Sequence, residues 1–84
     1  MMIKVLIFYS GLSVISQIEE IFTDPGEADC RLINPYEILE NGEELKKWPS
    51  ITNQTSIEIH SKNVLTIVDP KKELIKKYFE LIAE

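Results

Sequence analysis

Reactive side chains are scarce in this sequence of 84 residues. It holds one cysteine, Cys30, and one histidine, His60. A lone cysteine excludes an internal disulfide and a cysteine metal cluster, and it fits a reducing cytoplasm. Three glycines leave no phosphate-cradling loop. The longest apolar run, Val5-Leu6-Ile7-Phe8-Tyr9, is far short of the roughly 20 residues of a membrane span, and no small-residue cleavage site follows it. Basic charge is also in deficit. The formal net charge is −5, and an acidic surface disfavours phosphate backbones, which need cations to displace their counterions. Nucleic acid and membrane are therefore not expected as partners. The tripeptide Asn53-Gln54-Thr55 matches a glycosylation sequon, read here as a chance match.

What is present suits a single small domain over residues 1–84, with 44% apolar and 27% charged residues. Nine acids fall between Glu19 and Glu44 against Arg31 alone, while Lys71, Lys72, Lys76 and Lys77 crowd the end. Ile3 to Tyr9 reads as a strand buried on both faces. Gly11 permits a turn. Ser13 then caps an expected helix whose apolar stripe is Val14, Ile18, Ile21 and Phe22. Ala28, Cys30 and Leu32 alternate with Asp29 and Arg31 as a second strand, parallel to the first across a right-handed crossover. Asn34-Pro35-Tyr36-Glu37 has the composition of a helix start, and the segment runs, broken at Asn41-Gly42, to Pro49. Ile57 and Ile59 form a hairpin with Val64 to Val68 around Ser61-Lys62-Asn63. Asp69-Pro70 opens a last helix with a stripe of Leu74, Tyr78, Leu81 and Ile82. The expected fold is thus α/β: β-α-β-α-β-β-α, a four-stranded mixed sheet flanked by helices.

That order resembles the thioredoxin-like fold in its small, glutaredoxin-like form, over nearly the whole chain. Lys4 to Ser10 is similar to the family's first strand, Glu43 to Lys47 to its second-helix stretch, and Thr55 onwards to its final β-β-α unit. The resemblance implies a former active-site loop made of Tyr9, Ser10, Ser13 and Ser16, with Thr55 near the place of the family's cis-proline. Ser13-Val14-Ile15-Ser16 stands where the family carries Cys-x-x-Cys. A hydroxyl cannot run thiol–disulfide exchange, so the resemblance implies a redox-inactive domain with no catalytic residues, no metal and no cofactor.

Function is then expected to lie in protein–protein contact, with Tyr36 and Trp48 as aromatic anchors and Glu40, Glu43 and Glu44 as charged surroundings for a basic partner. Chains of this composition also resemble small phage-encoded accessory proteins. The competing class is an enzyme: a divergent glutaredoxin-like oxidoreductase, or a binder of glutathione or another thiol ligand, using Ser13, Ser16 or Cys30. Cys30 reads as a small core residue, and His60 as a surface histidine.

Overall fold

The computed structural model describes residues 2–83. It contains six strands and one α-helix: β1 (Met2–Phe8), β2 (Ser13–Glu20), β3 (Cys30–Ile38), β4 (Leu45–Lys47), β5 (Ser56–Ile59), β6 (Val64–Val68) and α1 (Lys72–Ile82), with a 3-10 turn at Ser61–Asn63 ahead of β6. All the strand pairs are antiparallel. The sheet order is β4-β3-β2-β1-β6, and β5 continues the β4 edge by pairing with the first half of β3.

This is not a thioredoxin-like βαβαββα domain. The expected helix after Ser13 is β2, so Ser13 caps nothing. Val14, Ile15 and Ile18 are β-branched, stiff at χ1 and at home on a pleated surface. The expected helix at Asn34–Glu37 is the middle of β3. The sole α-helix among the described residues is the last one. It begins at Lys72, with Lys71 at its N-cap position, two residues after the expected Asp69-Pro70 start. Its expected stripe holds: Tyr78 is buried, and Leu74, Leu81 and Ile82 are partly buried. There is also no parallel pair among the described residues, and β1 and β2 are joined directly by a tight turn in which Phe8 N–H donates to Leu12 O at 2.9 Å.

β5 and β6 are both strands, but they do not form a hairpin. Ile59 pairs with Cys30 on β3, whereas Val64 pairs with Phe8 on β1. In a flat sheet those sites would lie four strand spacings apart, about 19 Å, and roughly 26 Å along the strands. Five residues of chain reach at most about 17 Å. The sheet is therefore coiled until its ends meet, and the 3-10 turn is the seam. Asp29 accepts hydrogen bonds from Ser61 N–H (2.8 Å) and Ser61 Oγ–H (2.7 Å) on one side. Tyr9 N–H donates to Asn63 O at 3.2 Å on the other.

Coiling divides the core in two. Leu6, Phe8, Val14, Cys30 and Leu32 point inward and meet Trp48, Ile59 and Val64. Val5, Ile15 and Tyr78 form the outer cluster, where α1 lies on Ile3, Ile7, Tyr36, Ile38 and Leu45. The faces alternate along β1 as strand geometry requires. On β3 the phase flips: Cys30 and Leu32 face in, Tyr36 and Ile38 face the helix. A bulge causes the flip. Between the pairs Gln17–Ile33 and Ile15–Tyr36, β3 carries one extra residue, and Asn34 sits there in the left-handed region (φ 53). Asparagine tolerates that conformation better than most residues, and Pro35 beside it occupies one of the few strand positions open to proline.

Candidate functional site

The five residues of the expected former active-site loop are dispersed. Tyr9 and Ser10 lie on the exposed β1–β2 turn, and Ser13 is half-buried on β2. Ser16 is fully buried, its Oγ 2.8 Å from Gln17 O and 3.1 Å from Ile33 O, so its one proton satisfies a strand carbonyl. Thr55 is exposed just before β5 and accepts from Asn34 N–H through its carbonyl at 2.7 Å. Pro49, not a residue near Thr55, follows a cis bond. No nucleophile–base pair emerges from these positions. Cys30 is buried, and its thiol is pushed above its ordinary pKa by burial and by the nearby Asp29 and Glu20 carboxylates. That disfavours the thiolate which disulfide exchange requires. His60 is half-buried and donates through Nε2 to Gly26 O at 3.0 Å. Among the described residues no group of three or more His, Cys, Asp or Glu converges as a metal site.

The expected contact residues separate as well. Trp48 lies inside the coil with its ring 5.9 Å from that of Phe8. Tyr36 lies on the opposite face, edge-on to Tyr78 at 5.9 Å. Both aromatic anchors are engaged internally. Glu40, Glu43 and Glu44 are exposed on the β3–β4 hairpin tip, where Asn41 Oδ1 accepts from Glu43 N–H (2.9 Å) and Glu44 N–H (3.0 Å).

An open groove of about 770 Å³ runs between that tip and the first half of α1. Val5, Ser13 and Ile38 contribute apolar and hydroxyl lining, and Asp69, Lys71, Glu73 and Lys77 supply charges of both signs. Lys77 Nζ donates across it to Glu43 O at 2.9 Å. Mixed charge around a shallow groove gives no preference for one ligand class.

Sequence reasoning missed the most distinctive surface. β6 pairs with β1 alone, leaving its other edge open among the described residues. Leu65, Ile67 and Val68 are 56%, 51% and 43% exposed. Leu65 has no partner on β1, because the register shifts between the pairs Ile7–Thr66 and Phe8–Val64. The strand has no charged residue, and Lys62 and Asp69 lie beyond its ends. Asp69 is paired with Lys4. An apolar run recognised only as a hairpin strand gave no sign that one of its edges would stay free.

No helix among the described residues is long and apolar enough to cross a membrane. The family model that matches residues 1–83 is described as a family of unknown function (DUF6561), and the chain belongs to that family. A comparison with curated proteins finds no match.

Proposed function

We propose that this member of the family works by binding another polypeptide rather than by catalysis, and that the binding element is the open edge of β6. A strand at a sheet edge presents a row of unpaired N–H and C=O groups, and a partner strand can bond to them while side chains on both faces set specificity. The observation that carries the reading is the charge-free strand Val64–Val68, exposed from Leu65 to Val68, on an edge with no paired strand among the described residues. The aromatic pair Tyr36 and Trp48 is spent on packing, so contact shifts from the acidic hairpin to the opposite side of the sheet. Glu40, Glu43 and Glu44 then act as solubilising charges.

A photo-crosslinking side chain at Leu65, compared with one at Lys46 on the β4 edge, tests the reading in the cell that makes the protein. Adducts from position 65 and none from position 46 are expected. Adducts at neither position, or at 46 alone, would remove the basis for it.

A further inference from the structure

The chemistry of β6 identifies its partner: we propose that the open edge pairs with the same edge of a second copy, antiparallel, about a two-fold axis through Thr66. This rests on the reading of β6 as the binding element and names what it binds.

The strand reads almost alike in both directions. With Thr66 on the axis, Leu65 of each copy faces Ile67 of the other and Thr66 faces itself, while the bulge at Leu65 turns Val64 toward the inner cluster and leaves it outside the pairing. Aliphatic pairs and threonine–threonine pairs are favourable cross-strand neighbours. The flanks match too. Lys62, in the 3-10 turn before the strand, lies toward the Asp69 end of the other copy, so charges of opposite sign flank the paired strands. No like charges lie directly opposite. Pro70, beyond the strand, has no N–H and cannot extend the ladder.

Charge elsewhere permits the approach. Two chains of net charge −5 repel each other, but the acids from Glu19 to Glu44 lie on β2, on β3 and in the loops beside them. Asp29 reaches the seam beside β6, where Ser61 holds it, and β1, the strand paired with β6, carries only Lys4.

Charge exchange at the axis is the test. In sedimentation velocity over a micromolar to millimolar series, the unaltered protein is expected to reach twice its 9.7-kDa mass. Thr66→Lys places two cations opposite each other, and Thr66→Glu two anions. Each alone should weaken self-association by roughly 100-fold, with an unchanged circular-dichroism spectrum showing that it folds. An equimolar mixture of the two should dimerise again, because lysine now faces glutamate. Lys46→Glu, on the other edge, should leave association unchanged. An unaltered protein that stays monomeric throughout overturns the inference, as does a dimer indifferent to both substitutions or a mixture that fails to recover. If the monomeric protein still forms crosslinked adducts with other polypeptides through position 65, only the self-pairing fails, and binding through β6 stands.

Discussion

The two edges of this sheet solve the same problem in opposite ways. The β4–β5 edge is two short pieces of three and four residues, separated by the excursion 48–55. It is guarded by charge: Lys46 is exposed, and Glu58 joins Arg31, which also holds Glu19 in a row across three strands. The β6 edge is a single five-residue strand without a charge. Short strands, lysines and irregularities are the devices that keep sheet edges from pairing. One edge therefore carries these defences, and the other has only the irregularity at Leu65. The difference marks which edge the molecule leaves available.

The guarded edge depends on the bulge at Asn34-Pro35, so the strongest way to break the contrast is to remove what braces it. Tyr78 is fully buried, and its hydroxyl lies 2.8 Å from Asn34 O and 3.1 Å from Ile33 O, the two carbonyls at the bulge. Tyr78→Ala is expected to cost about 3–5 kcal/mol in urea unfolding, from lost packing and a cavity. The amides of residues 48–55 should then exchange faster than those of β6. Tyr78→Phe keeps the ring and removes the donor, with an expected loss of about 1–2 kcal/mol. Lys47 comes next. Its Nζ donates to Thr52 O at 2.9 Å and Gln54 O at 2.8 Å, tying down the excursion. Lys47→Met should cost about 1 kcal/mol and make the 48–55 loop the first site of limited proteolysis.

The smallest effect concerns the seam. The two hydrogen bonds from Ser61 hold the Asp29 carboxyl below its ordinary pKa. A group depressed in the folded state adds stability that is fully present above its unfolded value, about 3.9, and is lost as pH falls through the lower folded value. Unfolding midpoints should therefore fall in acid below about pH 4, and Asp29→Ala should reduce that slope while leaving β6 untouched.

The sequence disclosed some parts of this molecule and concealed others. β1, the two strands of the last third and the apolar stripe of α1 were legible, because each rests on local periodicity and β-branched content. β2 is concealed because Val14, Ile18, Ile21 and Phe22 satisfy a helical spacing, although Phe22 is 99% exposed. The β-branched Val14-Ile15 pair and Ile18 carried the contrary signal. Asn41-Gly42 suits a helix break, yet asparagine-glycine is the strongest short hairpin signal. Gly42, at φ 72, turns the chain from β3 into β4. Asn34-Pro35 looks like a helix start from composition alone. Only the pairing with β2 reveals it as a bulge. The β6 surface had no local signature, since which edge stays free depends on the order of all six strands. Cys30, alternating with Asp29 and Arg31, is legible as a core residue and lies in the inner cluster.

The closure of β6 on β1 also sets a timetable. Phe8 and Val64 are neighbours in space and 56 residues apart in the chain. At synthesis rates of about 5–20 residues per second, β1 waits roughly 3–11 s for that neighbour. Until then its bare flank is as open to a stranger as β6 is in the finished molecule. A newborn copy and a mature one thus present matching vacancies, and crowded translation is where the two would be expected to confuse each other.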